Sequence, residues 1–363
     1  MSEKRLLKVL VIDDSAYNRR AVAGFFEDAP GIEVVGKARD GQEGLQLALT
    51  EKPDVVTLDL EMPRMDGFSF LRLLMSRQPT PVIVISSYGS RENVFRALEL
   101  GAIDFVAKPT KRISPEIQGI REEVVRKVQM VRQMRADSLT PLLFPDNGRP
   151  ETGRWTAVQP PPTARATDER DAADRIVVIA ASTGGPKSLT RVLSALPADL
   201  EAGIAVVQHM PSSFTATFAE RLDRQCALRV IELCSSDILR RGTVYIAPGD
   251  LCIELAPARR GSLALKILEP ASGDRYVPSA DRLFISAASC ARQNVLAVVL
   301  TGMGDDGSAG VEAVAAAGGL AVSESEQTAV ISGMPLAALN TGAVSRVEPL
   351  DRMADVIKAF AKV

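Results

Sequence analysis

Residues 176–189, IVVIAASTGGPKSL, contain the pattern that decides the fold of the C-terminal part of this 363-residue chain. A run of small and β-branched apolar residues precedes two glycines and a helix-forming segment, which predicts a strand, a tight turn and a helix. This arrangement places Ser182 at the carboxyl end of the strand, facing a helix N-terminus. Neither the G-x-G-x-x-G spacing nor the P-loop pattern is present, so a nucleotide-binding loop is disfavoured.

The alternation of strands and helices continues on the C-terminal side. Strands are predicted in RIVVIAAS, GIAVVQH, TVYIAPG and NVLAVVLTGMG. Helices are predicted after Gly185, around 215–222 and from about Ser308. Such alternation over 174–363 predicts a doubly wound, mostly parallel α/β domain.

His209 is the only histidine of the chain, and it follows the strand after the one that ends at Ser182. In a parallel sheet, both side chains would lie at the same edge. A serine hydroxyl is a weak nucleophile that needs a base, and imidazole, with a pKa of about 6.5, suits that role. The alternative is that His209 is an ordinary surface or core histidine.

Two adjacent aspartates, Asp305 and Asp306, follow another apolar strand inside the glycine-rich segment TGMGDDG. A serine–histidine pair needs a carboxylate that holds the imidazole in one tautomer. The residues alone do not choose between the two. The glycines would also let backbone N–H groups approach a developing oxyanion.

The segment 1–130 contains five strand–helix units and therefore predicts a parallel sheet covered on both faces. Its helices are predicted at 16–27, 42–49, 68–75, 92–98 and from about 115. The segment 131–173 is polar and rich in proline, which is typical of an interdomain linker.

Charged and polar residues occupy the strand ends of the N-terminal domain. They are Asp13 and Asp14 after the first strand, Asp59 after the third, Ser86 after the fourth and Lys108 after the fifth. Three clustered carboxylates repel one another unless a hard cation such as Mg²⁺ neutralises them. Beside a metal and an ammonium, Asp59 is the natural phosphoryl acceptor, with Asp13 and Asp14 as metal ligands. Alternatively, these acids are helix caps and turn residues.

The segments VIDDS, DLEMPRMDG, ISS and AKP resemble the response-regulator receiver domain, over about the first 125 residues. The resemblance implies a five-stranded (βα)5 fold in which a chemotaxis histidine kinase phosphorylates Asp59. It also implies that Ser86 and Lys108 contact the phosphoryl group. The backbone carbonyl of Glu61 would help to bind Mg²⁺, and Phe105 occupies the aromatic switch position.

The segments ASTGG, QHMPSSFT and TGMGDDG, with YIAPGD, PSADRLF and VISGMP, resemble the hydrolase domain of the chemotaxis protein-glutamate methylesterases. This resemblance covers about 175–363. It implies that Ser182 is the nucleophile and His209 the base. It also implies that Asp306, rather than Asp305, orients the histidine.

Five other positions bear on this resemblance. Thr183 and Met303 match positions near the oxyanion site of the family. Ala180, Cys252 and Val277 stand where the family usually has glycine, histidine and arginine. The differences leave the triad intact, but they leave room for altered substrate affinity.

The resemblance implies phosphorylation-controlled hydrolysis of glutamyl γ-methyl esters, and deamidation of glutamines, on methyl-accepting chemoreceptors. The hydrolytic step is expected to need no metal. One alternative is a serine hydrolase, under the same two-component control, that serves another protein ester or amide in a non-chemotaxis pathway. A second is a phosphorylation-dependent binding protein or transcription regulator, for which we expect a compact helix-turn-helix with a basic face.

The composition disfavours nucleic acids and membranes as partners. A net charge of -2 provides no general attraction to either, and 46% hydrophobic with 24% charged residues is ordinary for a globular protein. The N-terminus is not predicted to be a signal peptide, because Lys8 interrupts its apolar stretch. No apolar run approaches the roughly 20 residues that cross a bilayer, so we expect a cytoplasmic protein.

Overall fold

A computed structural model describes residues 5–86, 91–108, 116–134 and 172–362. The chain divides into two compact units, Met1–Arg149 and Pro150–Val363. Most of the predicted linker, at 135–171, lies outside the described residues. None of the helices within the described ranges has the length and apolar character that crossing a bilayer requires.

The N-terminal unit is built around one parallel sheet. Its strands are β1 (Leu7–Ile12), β2 (Ile32–Ala38), β3 (Val55–Leu58), β4 (Val82–Ser86) and β5 (Asp104–Ala107). Its helices are α1 (Ala16–Gly24), α2 (Gly41–Glu51), α3 (Gly67–Arg77), α4 (Arg91–Glu99) and α5 (Glu116–Met130), and a 3-10 turn (Val131–Gln133) follows α5. The sheet order is β2-β1-β3-β4-β5, which confirms the predicted five-stranded parallel sheet.

Helix α1 is shorter than the sequence predicted, because it ends at Gly24 rather than near Glu27. The N–H groups of Phe25 and Phe26 bond carbonyl oxygens three residues earlier, at 3.2 and 3.1 Å, so the chain continues in tighter turns. Glycine is a poor helix former, which weakens the helix at this point.

The C-terminal unit contains a larger parallel sheet and a small antiparallel one. Its strands are β6 (Ile176–Ala181), β7 (Gly203–Gln208), β8 (Arg229–Glu232), β9 (Asp237–Ile238), β10 (Thr243–Ile246), β11 (Cys252–Pro257), β12 (Leu263–Leu268), β13 (Val295–Val299), β14 (Leu320–Glu324) and β15 (Arg346–Glu348). Its helices are α6 (Gly185–Ser194), α7 (Ser212–Gln225), α8 (Ala280–Ala291), α9 (Ser308–Ala316), α10 (Gly333–Asn340) and α11 (Leu350–Lys362), with 3-10 turns at Arg259–Gly261 and Arg292–Asn294.

The larger sheet has seven parallel strands in the order β15-β14-β13-β6-β7-β10-β8, and the small sheet has the order β11-β12-β9. Strands β6, β7 and β13 are buried along their whole length, as expected for a sheet covered on both faces. The predicted doubly wound, mostly parallel domain is therefore confirmed. The described part of this unit is not the small helical bundle that a helix-turn-helix output would require.

The strand order reverses at β6, because β7 lies on one side of it and β13 on the other. Ligands of open α/β sheets bind at such a switch point, beyond the carboxyl ends of the strands. The turn after β6 includes Gly184 at φ +78°, a conformation that glycine adopts without a steric penalty. The loops after β6, β7 and β13 therefore meet at one edge of the sheet.

Candidate active site and phosphorylation site

The only histidine of the chain meets one of the two adjacent aspartates. Nε2 of His209 lies 2.8 Å from Oδ2 of Asp306. The carboxylate side chain is 1% exposed and the imidazole side chain 16% exposed, so solvent reaches only the histidine. The other ring nitrogen, Nδ1, is not engaged by this carboxylate.

Asp306 is held by the start of α8. Its Oδ2 accepts the backbone N–H of Ala280 at 2.8 Å, and its Oδ1 accepts that of Asp281 at 3.0 Å. The hydroxyl of Ser279, the N-cap of α8, lies 3.3 Å from Oδ1. A helix N-terminus interacts favourably with negative charge, and these hydrogen bonds fix the orientation of the carboxylate.

Ser182 and His209 follow neighbouring strands in register. Ala181 of β6 pairs with Gln208 of β7, so the next residue of each strand stands at the same edge. The backbone N–H of Ser182 donates to the carbonyl of Thr301 at 3.0 Å, which ties the serine to the loop after β13. The structure thus brings the three predicted triad residues to one place.

Gln208 joins the two loops that carry the serine and the histidine. Its Nε2 donates to the carbonyl oxygens of Ser182 at 2.9 Å and of His209 at 3.1 Å. The side chain is 1% exposed. Sequence reasoning did not single it out, although its place directly before the histidine at a strand end was an available signal.

The second aspartate of the pair faces a different partner. Oδ1 of Asp305 accepts the hydroxyl of Tyr276 at 2.8 Å, and its Oδ2 accepts a guanidinium N–H of Arg275 at 3.1 Å. The hydrogen bond from Tyr276, followed by the hydrogen bond and then the charge of Arg275, lowers the pKa of Asp305. The ring of Tyr276 stacks on the imidazole of His209, with centroids 5.3 Å apart and planes 8° apart. Nothing in the sequence reasoning pointed to this tyrosine.

The predicted oxyanion positions lie on the same two loops. Thr183 directly follows the serine, and its carbonyl accepts the hydroxyl of Thr301 at 3.0 Å. Met303 follows Gly302, at which a Cβ atom would lie 2.8 Å from Cβ of Ser182. Thr183 is thus next to the serine in the chain, and Met303 follows a glycine that packs against the serine.

A buried carboxyl group supports the loop after β13. Oε2 of Glu324 accepts the backbone N–H of Thr301 at 2.8 Å, and its Oε1 accepts the hydroxyl of Thr328 at 3.0 Å. Burial outweighs these hydrogen bonds and raises the pKa of Glu324 to about 7. Sequence reasoning missed this residue, although it ends a strand of the same sheet.

The three positions that differ from the family pattern have different surroundings. Ala180 is fully buried in β6, and Val277 is partly buried beside the stacked tyrosine. Cys252 is fully buried, and its Sγ lies 3.8 Å from Oδ2 of Asp274, which pairs with Arg282 at 2.7 Å. A residue at position 252 is therefore enclosed by the protein.

The N-terminal unit brings its predicted acidic residues together. Asp13, Asp14 and Asp59 offer carboxylate oxygens that all lie within 4.8 Å of one another. Nζ of Lys108 lies 2.7 Å from Asp59 and 3.0 Å from Asp13. Three carboxylates and one ammonium leave an excess of negative charge, and the all-oxygen donor set suits Mg²⁺.

Burial and the neighbouring opposite charge have opposite effects on the pKa values of Asp59 and Lys108. Burial raises the pKa of Asp59 more than the ion pair with Lys108 lowers it. Burial alone would lower the pKa of Lys108, but Asp59 and Asp13 outweigh it, so that pKa lies above its ordinary value. The lysine is therefore protonated, while the carboxylate cluster favours an additional cation.

These acids are not the caps of the adjacent helices. The N-cap of α1 is Ser15, whose hydroxyl accepts the N–H of Asn18, and the N-cap of α3 is Asp66. Asp13 does accept the N–H of Ser15, at 2.9 Å. Its other oxygen, however, faces Lys108, so capping does not account for the cluster.

The other predicted switch residues lie around the cluster. Ser86 is buried at the end of β4, and its carbonyl accepts the N–H of Lys108 at 2.7 Å. The backbone nitrogen of Glu61 lies 3.5 Å from Oδ1 of Asp59, which places that backbone beside the Asp59 carboxylate. Phe105 is 2% exposed, and its carbonyl accepts Nζ of Lys127 at 2.6 Å.

Sequence reasoning missed Lys127, a buried lysine of α5. Its Nζ lies 2.9 Å from Asp104 and 3.0 Å from Glu123, and 5.5 Å from the ring centroid of Phe105. Burial opposes its charge, but the two carboxylates raise its pKa above the ordinary value. The i,i+4 pair with Glu123 was visible in the sequence, but the contact with β5 was not.

Family models match both units of the chain, and relatives match nearly its whole length. Residues 177–357 match the family model of the CheB methylesterase, and residues 9–114 match that of the response regulator receiver domain. Protein-glutamate methylesterase/protein-glutamine glutaminase 3 of Geobacter sulfurreducens is 48% identical over 357 residues, which cover 96% of each chain. A Myxococcus xanthus protein, protein-glutamate methylesterase/protein-glutamine glutaminase 1, is 45% identical over 100% of this chain and 99% of its own. The crystal structure of the Thermotoga maritima CheB methylesterase catalytic domain, at 36% identity, covers 51% of this chain and 97% of that one, with a TM-score of 0.49.

Proposed function

The chain belongs to the protein-glutamate methylesterase/protein-glutamine glutaminase family, and we propose that it acts as a phosphorylation-controlled serine hydrolase through Ser182, His209 and Asp306. Its substrates are glutamyl γ-methyl esters and glutamine side chains of chemoreceptors. The observation that carries the proposed mechanism is the contact of His209 with Asp306 beside the serine-bearing loop.

The first step is formation of an acyl-enzyme. Nε2–H of His209 donates to Asp306, which leaves the lone pair of Nδ1 to accept the proton of the Ser182 hydroxyl. The serine oxygen attacks the ester carbonyl carbon and forms a tetrahedral oxyanion. The C–O bond to the methoxy group then breaks, and the imidazolium returns its proton to the leaving oxygen, so methanol departs.

The second step reverses these roles with water. His209 takes a proton from a water molecule, the hydroxide attacks the acyl carbon, and the serine oxygen leaves with the proton. The products are a glutamate side chain and free enzyme. With a glutamine substrate, the same sequence releases ammonia in place of methanol.

Backbone N–H groups at Thr183 and Met303 would stabilise the oxyanion. The position of Thr183 next to Ser182, and of Met303 after the glycine that packs against Ser182, supports this assignment. Donors fixed in advance at such a site are typically worth 10²–10³ in rate each.

In the N-terminal unit, Asp59 would accept a phosphoryl group from the chemotaxis histidine kinase. Asp13, Asp14 and Asp59, with the carbonyl of Glu61, would hold Mg²⁺, as the oxygen donor set supports. When bound, the metal neutralises charge on the transferring phosphoryl group. Lys108 and Ser86 would contact the phosphoryl oxygens, and Phe105 would respond as the aromatic switch.

The test is methanol release from methylated chemoreceptors by the full-length chain, with and without a small phosphodonor. Ser182→Ala is expected to abolish release, whereas Ser194→Ala, an exposed serine at the end of α6, should retain it. Full activity of Ser182→Ala would contradict the assigned nucleophile. Equal rates with and without phosphodonor would contradict control by Asp59.

The same experiment distinguishes the proposed receptor methylesterase from a serine hydrolase that acts on another protein ester or amide. A chain that cleaves a simple ester through Ser182 but releases no methanol from receptors would serve another protein ester or amide. Cys252 and Val277, which replace the basic residues usual in the family, are the positions that motivate this comparison.

A further inference from the structure

The histidine of the proposed triad is contacted on its face as well as on its edge. Asp306 contacts the imidazole edge at Nε2, and the ring of Tyr276 lies on the imidazole face, 5.3 Å between centroids and 8° from parallel. This separation is within the 4.5–7 Å range of favourable aromatic pairs. The tyrosine is therefore in direct contact with the group that must move a proton.

The tyrosine is itself held by the neighbouring aspartate. Its hydroxyl donates to Oδ1 of Asp305 at 2.8 Å, and Arg275 donates to Oδ2 of the same carboxylate at 3.1 Å. The guanidinium carbon of Arg275 also lies 5.5 Å from the tyrosine ring centroid. Burial, together with the bond to Asp305, raises the pKa of the Tyr276 hydroxyl, so it remains a donor.

The turn after β13 is shaped to permit this contact. Gly304 has φ +95°, and a Cβ atom at that position would lie 2.4 Å from the hydroxyl oxygen of Tyr276. Two adjacent carboxylates thus act on one imidazole, Asp306 directly at its edge and Asp305 through the tyrosine on its face.

We propose that Tyr276 is a positioning residue that, anchored by Asp305, keeps the His209 imidazole at the angle from which Nδ1 reaches Ser182. A single hydrogen bond at Nε2 leaves the ring able to rock about the line from Cγ to Nε2, which swings Nδ1 toward or away from the serine. A ring stacked nearly parallel to the imidazole blocks that motion on its side. This inference rests on the proposed role of His209 as the base.

The decisive comparison is between Tyr276→Leu and Tyr276→Phe in the full-length, phosphorylated chain. Tyr276→Leu is expected to lower kcat for methanol release roughly 10- to 100-fold with little change in KM, because misalignment of the base impairs proton transfer rather than substrate binding. Tyr276→Phe keeps the ring and loses one hydrogen bond, so a loss of at most about fivefold is expected.

His209 is the only histidine of the chain, so every imidazole signal in an NMR spectrum of the protein comes from this residue. In wild type and Tyr276→Phe, we expect the ring protons to show the upfield shift caused by a stacked aromatic ring. In Tyr276→Leu, that shift should disappear. This measurement needs no substrate, and the dispersed methyl signals of the buried core in the same spectrum show whether the variant is folded.

A third variant tests whether the hydrogen bond to Asp305 holds Tyr276 in place. Asp305→Ala should reduce kcat at least as much as Tyr276→Phe does, because it also removes the contact with Arg275. The double variant should lose no more than Asp305→Ala alone, because both changes remove the same hydrogen bond. Additive losses would contradict the link between Asp305 and Tyr276.

Three results would overturn the positioning role. They are a wild-type kcat in Tyr276→Leu, a change confined to KM, and an equal loss of kcat in the Phe and Leu variants. Ser182→Ala, assayed in parallel, distinguishes the two hypotheses. If that variant is fully active, the proposed hydrolytic mechanism fails, and if it is inactive while Tyr276→Leu is normal, only the role of Tyr276 fails.

Discussion

Oδ2 of Asp306 lies 2.8 Å from Nε2 of His209 and accepts the first backbone N–H of helix α8 at the same distance. The carboxylate is therefore fixed between a helix N-terminus and the imidazole. Because the carboxylate occupies Nε2, Nδ1 is the nitrogen that would act as the base in the proposed mechanism. That mechanism would therefore depend on the orientation of the imidazole.

Replacing Asp306 by Asn is expected to lower kcat by about 10²- to 10⁴-fold, because the amide can donate to Nε2 and so favour the tautomer with a proton on Nδ1. Methanol release under saturating receptor measures the effect. Asp305→Asn is the matched control and should lose less than about tenfold, since it keeps an oxygen acceptor for Tyr276. Equal losses in the two variants would contradict the assignment of Asp306.

Asp59→Asn should abolish stimulation by a phosphodonor and leave basal hydrolysis unchanged, because the acceptor oxygen is lost but the C-terminal unit is intact. The readouts are incorporation of phosphoryl groups and the ratio of stimulated to basal methanol release. Asp28→Asn, an exposed aspartate of the same unit that pairs with Arg121, is the control and should be stimulated normally. Phosphorylation that persists in Asp59→Asn would place the acceptor elsewhere.

The buried carboxyl of Glu324 predicts a pH dependence of stability. Its pKa is about 7 when folded and near 4.5 when exposed, so between these values the folded chain retains a proton that the unfolded chain has lost. The stability that this group contributes is therefore full below pH 4.5 and falls as the pH rises toward 7, by roughly 3 kcal/mol in total.

Glu324→Gln should abolish this loss of folding stability with rising pH, because an amide does not titrate. The glutamine amide can occupy the same place, with its nitrogen toward the hydroxyl of Thr328 and its oxygen toward the N–H of Thr301. Urea unfolding of the variant and of wild type at several pH values between 4.5 and 8 measures the difference. Glu326→Gln, at an exposed position of the same loop, should follow wild type. Parallel curves for Glu324→Gln and wild type would show that the carboxyl is not buried in its neutral form.

Gly302→Ala is expected to reduce activity more than stability. The added Cβ would meet Sδ of the buried Met334 and would lie 2.8 Å from Cβ and 3.1 Å from the backbone nitrogen of Ser182, so both the methionine and the loop that carries the serine must shift. A displacement of that size is expected to cost on the order of 10²-fold in kcat. Gly273→Ala, where a Cβ meets nothing within 4 Å, is the control, and similar activities of the two variants would contradict the close packing of Gly302 on Ser182.

Much of the fold followed from local patterns. Strand and helix periods, with short loops between them, predicted a parallel sheet in each unit, and parallel strands necessarily end at a common edge. That rule was enough to bring Ser182 near His209 and Asp13 near Asp59. The early end of α1 was not foreseen, because helix ends depend on small local differences in hydrogen bonding.

The sequence by itself determined the α/β class of both units and the residue types at their strand ends. The alternation of apolar strand segments with helical segments depends on residues that are near one another in the chain. The residues alone did not choose between Asp306 and Asp305, and the family resemblance favoured Asp306. The tertiary structure shows the physical difference, because Asp306 contacts His209 whereas Asp305 contacts Tyr276 and Arg275. It also revealed Tyr276 and Gln208 beside the histidine and the serine. These contacts join residues far apart in the chain or depend on the direction in which a side chain leaves a loop. The N-terminus of α8 holds Asp306, and the pairing of β6 with β7 places Gln208 beside Ser182.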